Sequence, residues 1–157
     1  MLDTTFALLV AAATVNGILA GASLDQSIKQ LPARHRIGAI AFSVYSRAAD
    51  LGNGIVWYAS IGIGAALLSV LAAIAAYFQG AGAAEGLPIY LAAVLSVLHS
   101  LATARAAPTN FEQRCHENDE AALSSIFDRF ARWQTLRAFL QVLTFITLLW
   151  AIVAYPR

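Results

Sequence analysis

Four long apolar stretches leave this chain with few ways to fold. They cover residues 6–24, 54–78, 87–107 and 138–155. Each has roughly 18–25 residues, and a helix of that length, rising 1.5 Å per residue, crosses a hydrocarbon core of about 30 Å. The sequence therefore predicts an all-α integral membrane protein, a bundle of four transmembrane helices forming a single domain over residues 1–157.

The basic residues are distributed unevenly between the segments that join these stretches. Nine of the ten Lys and Arg residues lie in or beside two of them: Lys29, Arg34, Arg36, Arg47, Arg105, Arg114, Arg129, Arg132 and Arg137. Because basic residues are retained on the cytoplasmic side during insertion, both segments are predicted to be cytoplasmic. We therefore expect a multi-pass protein of a bacterial-type cytoplasmic (inner) membrane, with extracytoplasmic N- and C-termini.

Composition supports this class and excludes others. Hydrophobic residues make up 59% of the chain and charged residues only 12%, unlike an ordinary soluble domain. No basic patch carries interleaved aromatics, so nucleic acid is not expected as a partner. The single cysteine, Cys115, allows neither an intrachain disulfide nor a cysteine-based metal site, and no metal or cofactor is predicted. The first apolar stretch follows no basic residues and is interpreted as a retained anchor rather than a signal peptide.

The two charged segments also contain helical patterns. In residues 25–53, apolar residues recur at helical spacing and predict an additional amphipathic helix, lying in the interface or beneath the bundle: Ile37, Ile40, Ala41, Val44 and Tyr45. Pro32 predicts a break before this helix. The fourth long helix is expected to begin near Glu120, well before its apolar stretch.

Polar side chains within membrane spans are costly and therefore informative. Counted from the predicted cytoplasmic ends, several lie at a comparable depth and predict a cavity in the cytoplasmic half of the bundle: Asn16, His99, Thr103, Arg137 and Gln141. Other interpretations remain open. Asn16 and the hydroxyl residues could bond neighbouring helices, His99 could be a hydrogen-bonded core residue, and Arg137 could extend to the headgroups. The Gly17–Gly21 pair favours close helix packing within one bundle.

Three short segments resemble those of the anthrone-oxygenase-like family of small membrane proteins. They are Ala107-Pro108-Thr109-Asn110, the segment RWQTLR at residues 132–137, and NGILAGA at residues 16–22. The resemblance implies a four-helix bundle and points to Asn110, Trp133 and Arg137. The resemblance implies the activity of the characterised members, which oxidise polycyclic anthrones to quinones with O₂ and without a metal or flavin. Where the family often has a histidine three residues before the arginine, this chain has Gln134.

Two function classes follow. The first is a cofactor-independent oxygenase, an oxidoreductase, or a binding protein for a lipophilic aromatic or quinone-type molecule. His99 would act as base, with Arg137 or Asn110 stabilising an oxyanion. The predicted substrate-binding residues are Asn16, Trp57, Tyr58, Thr103, Trp133 and Gln141. The second class is a non-catalytic accessory or structural subunit. The expected partners are the lipid bilayer, the aromatic ligand, and further copies of the chain or a larger membrane complex. A transporter is disfavoured because the spans contain no acidic residue.

Overall fold

The computed structural model of the protein describes residues 3–155, and these residues form helices and short connections without a β-strand. The helices are α1 (Thr4–Asp25), α2 (Leu31–Ile37), α3 (Ala39–Ala48), α4 (Gly54–Phe78), α5 (Ala83–Phe111) and α6 (Glu120–Ala154). One π-helical turn, Gln26–Gln30, joins α1 to α2, and another, Ala49–Asn53, joins α3 to α4. The predicted all-α class is therefore confirmed.

Four of the helices are long and apolar enough to cross a membrane. They are α1, α4, α5 and α6, and each of the four predicted stretches falls on one of them. These helices form a closed ring in which α1 packs against α4, α4 against α5, α5 against α6, and α6 against α1. The fourth begins at Glu120, as predicted, because Asp119 caps it by accepting a hydrogen bond from the Ala122 amide.

The end of the bundle at which α4 turns into α5 is called the turn end. Gly80 has a positive φ of 68° there, a conformation that favours glycine. The Tyr155 hydroxyl lies 2.8 Å from both Asp3 Oδ2 and Gln79 Oε1, and the Thr5 hydroxyl donates to the same Gln79 oxygen. These bonds hold the first, second and last long helices together at this end.

The opposite, charged end contains α2, α3 and the segment between α5 and α6. The chain stays helical through Pro32, which lies in the first turn of α2, where a missing N–H is tolerated. The helical segment breaks instead at Gly38, which has a φ of 87°. The prediction of a break at Pro32 is therefore wrong. Directly after it, the Glu120 carboxylate accepts hydrogen bonds from the Ala39 and Ile40 amides at 2.6 and 3.0 Å. This contact ties the start of α3 to the start of α6.

Residues 25–53 contain the helix α3, but the amphipathic helix predicted for this segment is not confirmed, because the buried face differs from the predicted stripe. Ala39, Phe42, Ser43 and Ser46 face the bundle, whereas most of the predicted apolar residues are exposed: Ile37, Ala41, Val44 and Tyr45. The small and polar residues pack inward because hydroxyl groups there meet Gln113 of the α5–α6 connection. Whether the outward apolar residues lie in a membrane interface stays a prediction.

Buried apolar residues form two separate clusters. The cluster at the turn end includes Leu9, Ile89 and Leu148, and the cluster at the charged end includes Leu123 and Phe127. Between them, the four long helices bury a group of polar side chains beside apolar ones such as Leu19 and Ala65: Asn16, Ser69, Ser96, His99, Gln141 and Thr144. This polar layer lies at the depth at which the sequence predicts a cavity.

Candidate functional site

A cavity of about 550 Å³ lies between α4 and α5 and extends inward to α1 and α6. Most of its wall surface is apolar. Residues on its rim, such as Ile63 and Leu67, are more than half exposed, so the cavity opens on the outer face of the bundle. An apolar cavity of this size with a few polar groups is typical of a small-molecule site. The polar and aromatic residues in its wall are Gln26, Asp50, Tyr58, His99, Ser100, Thr103, Asn110, Phe111, Phe130 and Arg137.

His99 of α5 is only 4% exposed and lines this cavity. Its Nε2 is completely shielded and has no hydrogen-bond partner within residues 3–155. The Thr103 hydroxyl lies one turn further along α5 and donates to the His99 backbone carbonyl at 2.9 Å, so it forms no hydrogen bond with the imidazole ring. A buried imidazole with an unpartnered nitrogen can accept a proton from a bound molecule or donate one to it.

Arg137 of α6 reaches the same cavity, and its Nη1 donates to Gln134 Oε1 at 2.8 Å. Gln134 in turn donates to the Ser23 carbonyl of α1, so the arginine is oriented by a buried amide. Arg137 Nε is shielded and unpartnered, and no carboxylate of residues 3–155 forms an ion pair with this guanidinium. The cavity therefore contains a cation that lacks a neutralising partner, which favours a ligand with an electron-rich oxygen.

At the charged end of the cavity, a chain of hydrogen bonds joins Asn110 to Asp50. Gln113 Nε2 donates to Asn110 Oδ1 at 2.8 Å and to Ser46 Oγ at 3.3 Å. The Ser46 hydroxyl donates to Asp50 Oδ2 at 3.1 Å. Asn110 takes part in this series of hydrogen bonds through its side-chain carbonyl oxygen. Its amide N–H groups donate to no side chain or carbonyl within residues 3–155, so they can donate to a ligand.

Asp50 lies in the π-helical turn just before α4 and is half-buried. Burial raises the pKa of its carboxyl, and hydrogen bonds from Ser46 and Gln26 act in the opposite direction. No Lys, Arg or His of the described chain pairs with this carboxylate. Asp50 therefore brings a second unpaired ionisable group to the cavity that contains Arg137.

A second cavity, of about 300 Å³, adjoins the first on the side of α3. Asp50 and Tyr58 line both, whereas Trp57 lines only the second. Its wall has a larger polar share than that of the first cavity, with Gln30 and Asn53 among its residues. The apolar cavity is therefore continued by a more polar one at the charged end of the bundle.

Three predicted site residues line neither cavity, and a fourth, Trp57, lines only the second. Asn16 and Gln141 are fully buried in contact with each other, and Gln141 Nε2 donates to Asn16 Oδ1 at 2.7 Å. Asn16 also donates to Ser69 Oγ of α4 at 3.1 Å. Trp133 is 36% exposed and lines neither cavity. The structure thus brings together His99, Thr103, Asn110, Arg137 and Tyr58, and places Asn16 and Gln141 in contacts between helices.

Asp50 and Gln26 belong to the site but were not predicted from the sequence. Both lie in π-helical turns, Gln26 in the turn after α1 and Asp50 in the turn before α4. A signal was present in the four-residue spacing of Ser46 and Asp50, which places the two side chains on one helix face. Within residues 3–155, no three His, Cys, Asp or Glu side chains are grouped closely enough to hold a metal ion.

No protein-family model, curated protein or solved structure matches this chain. The resemblance to the anthrone-oxygenase-like family therefore stays a prediction from the three short segments.

Proposed function

We propose that this chain is a multi-pass membrane protein that binds a lipophilic aromatic or quinone-type molecule in the α4–α5 cavity. The observation that carries the proposal is that His99 and Arg137 line the same apolar cavity. Each has a side-chain nitrogen that is shielded from solvent and has no hydrogen-bond partner among the described residues. Polar groups held unpaired in an apolar wall indicate a site for a ligand that pairs with them.

Membrane insertion is supported by the outward surface of the four long helices. Large apolar side chains remain well exposed along α4, α5 and α6, including Phe78 at 80% and Val153 at 84%. In water, so much contiguous apolar surface would cause association, whereas in a bilayer it contacts acyl chains. We place the charged end in the cytoplasm, in accord with its basic residues, and the exposed apolar residues of α3 in the interface.

The opening of the cavity suits entry from the bilayer. Its rim lies on the outer face of α4 and α5, at exposed aliphatic residues such as Ile55, Ile63 and Leu67. A lipophilic molecule would pass from the acyl chains into an apolar cavity and desolvate only its polar group. That group would then meet His99 and Arg137 at the inner wall.

The chemistry proposed for this site is that of a cofactor-independent oxygenase. A neutral His99 Nε2 would accept a proton from an acidic C–H group of the substrate, and the charge left behind would move to a conjugated oxygen. The Arg137 guanidinium or the Asn110 amide would stabilise that oxyanion. The carbanion carbon would then bond to O₂, the peroxide would take back the proton held by His99, and loss of water from this hydroperoxide would leave the new carbonyl group. The contact between Arg137 and Gln134 supports this role because it holds the guanidinium at the cavity wall.

Identifying a bound molecule after gentle extraction tests the proposal. Native mass spectrometry of protein in lipid discs should show an aromatic or quinone-like compound at unit stoichiometry. Ala104→Phe fills the cavity from α5 and should remove it, whereas Leu101→Phe, on the same helix but outside the cavity wall, should retain it. A stable assembly with other proteins, free of such a ligand, would instead support the accessory-subunit class.

The proposed oxygenase activity has its own test, in which O₂ uptake is measured with the compound identified above. His99→Gln keeps a polar side chain but removes the base, and we expect uptake to fall by about 10²-fold or more with binding retained. Undiminished uptake in this variant would exclude His99 as the base and leave a binding function.

A further inference from the structure

We propose that Asp50 is a specificity-determining residue of the cavity, which selects ligands whose polar group offers a hydrogen-bond donor as well as an acceptor. This inference rests on the proposed binding function. It concerns the chemical class of the ligand: an amphiphile with an apolar body, a hydroxyl group for Asp50 and an oxygen acceptor for Arg137.

The first argument is the placement of two unpaired charged groups in one cavity. Arg137 and Asp50 both line it, yet they form no ion pair with each other or with any other side chain of residues 3–155. Opposite charges in an apolar wall would gain by direct contact, so their separation leaves both available to a third group. A ligand bound between them would satisfy Arg137 with an acceptor and Asp50 with a donor.

The second argument is the way in which Asp50 is held. Its Oδ2 accepts a hydrogen bond from the Ser46 hydroxyl. The side-chain amide of Gln113 donates to that Ser46 oxygen and also to the side-chain oxygen of Asn110. Gln113 is fully buried, and Ser43 of α3 donates to its carbonyl oxygen at 3.1 Å. The carboxylate is thus positioned by a continuous buried network that ends on another residue of the cavity wall, as expected of a preorganised binding group.

A contact across the cavity end fixes the turn that contains Asp50. Arg114 donates to the Leu51 carbonyl at 3.0 Å, and its guanidinium lies 5.1 Å from the centre of the Phe111 ring. Leu51 and Phe111 both line the cavity. The arginine therefore fastens the π-helical turn to the end of α5, which keeps the Asp50 carboxylate at a constant position relative to Asn110.

Two matched probes test the inference: a decyl-substituted hydroquinone monomethyl ether and the corresponding dimethyl ether. The first has one hydroxyl donor, and the second has none but is larger by one methyl group. Burial of that methyl group would favour the dimethyl ether, so tighter binding of the monomethyl ether that is lost in Asp50→Leu assigns the preference to the hydroxyl. Binding is measured in lipid discs by quenching of tryptophan fluorescence.

The wild-type protein should bind the monomethyl ether about tenfold more tightly than the dimethyl ether. Asp50→Leu should abolish this preference, and Asp50→Asn, which keeps an acceptor oxygen, should retain part of it. Arg137→Gln should weaken binding of both probes to a similar extent. Asp128→Asn removes an exposed carboxylate that lines neither cavity and should change nothing.

The outcomes separate this inference from the proposed function. Saturable binding of both ethers with equal affinity in the wild type would overturn the role of Asp50 and leave the binding function standing. A preference that persists in Asp50→Leu would overturn it as well. Failure of both ethers to bind, with no displacement of a co-purified ligand, would overturn the inference together with the binding function on which it rests.

Discussion

At the scale of single residues, Asn16 shows how a buried amide can serve the bundle rather than a ligand. Its Nδ2 donates to the Ala12 carbonyl, to Ser69 and to the Ala65 carbonyl, and its Oδ1 accepts from Gln141. The side chain therefore joins α1 to α4 and α6. Interhelical hydrogen bonds in a bilayer contribute modestly, because the separated helices also find partners.

A double-mutant cycle on this pair follows from that geometry. We expect Asn16→Ala and Gln141→Ala each to lower the free energy of unfolding, and the double variant to lower it by less than their sum, with a coupling energy of about 1 kcal/mol. Unfolding in mixed detergent micelles measures all three values. Probe affinity should stay unchanged because neither side chain lines the cavity; a loss of affinity in either single variant would restore it as a binding residue.

The sequence predicted the depth of the polar residues better than their direction. Counting from the helix ends placed Asn16, His99 and Gln141 at one level, and the structure has all three in the polar layer. Only His99 faces the cavity, because the angular position of a side chain depends on how each helix is rotated against its neighbours. A single sequence contains little information on that rotation when apolar residues surround the whole helix, as they do on α1.

At the scale of helices, the close approach of α1 and α6 depends on one glycine. A Cβ added at Gly17 would lie 2.9 Å from the Phe145 ring, whereas a Cβ at Gly21 would meet no atom within 4 Å. The Gly17–Gly21 pair therefore divides into a packing position and an open one. Gly17 agrees with the prediction of close packing within one bundle, whereas Gly21 makes no such close approach.

Alanine substitutions distinguish the two positions. Gly17→Ala should lower the free energy of unfolding by about 1 kcal/mol, because the Phe145 ring must shift, and Gly21→Ala should lower it by less. The unfolding midpoint in denaturing detergent measures both effects. If Gly21→Ala instead reduced self-association on chemical cross-linking, the pair would be part of an interface between copies of the chain.

Helix boundaries were predictable where apolar length or a cap defined them, and less so at the π-helical turns. The start of α6 follows from Asp119 and the apolar pattern after it, which are local signals. A π-helical turn adds a residue to a helix and rotates everything beyond it. The position of Asp50 in the cavity depends on such a turn. The four-residue spacing from Ser46 places the two side chains on one helix face, but it does not reveal that this face meets the cavity.

At the scale of the whole molecule, the charge asymmetry predicts how the bundle sits in a membrane. Several basic residues of the charged end are paired with carboxylates, Arg34 with Asp128 and Arg47 with Glu117 among them. The unequal distribution of Lys and Arg nevertheless predicts the orientation, since acidic residues contribute little to the positive-inside rule. The charged end should therefore lie in the cytoplasm.

Cys115 offers a direct measurement of this orientation. It is the single cysteine of the chain and is exposed at the charged end. A membrane-impermeant maleimide should label it in inside-out vesicles and leave it unlabelled in intact spheroplasts. Cys115→Ser gives the background, and labelling of spheroplasts without permeabilisation would show that the charged end faces outward.

The contact of Tyr155 with Asp3 makes the chain a candidate for circular permutation. Because the two side chains lie 2.8 Å apart, both described ends of the polypeptide meet at the turn end, next to the α4–α5 turn at Gly80. A short peptide could join them, and new termini could be opened at that exposed turn. Such a circular permutant would keep every helix neighbour, so the order in which the helices are synthesised is separable from the packing that forms the cavity.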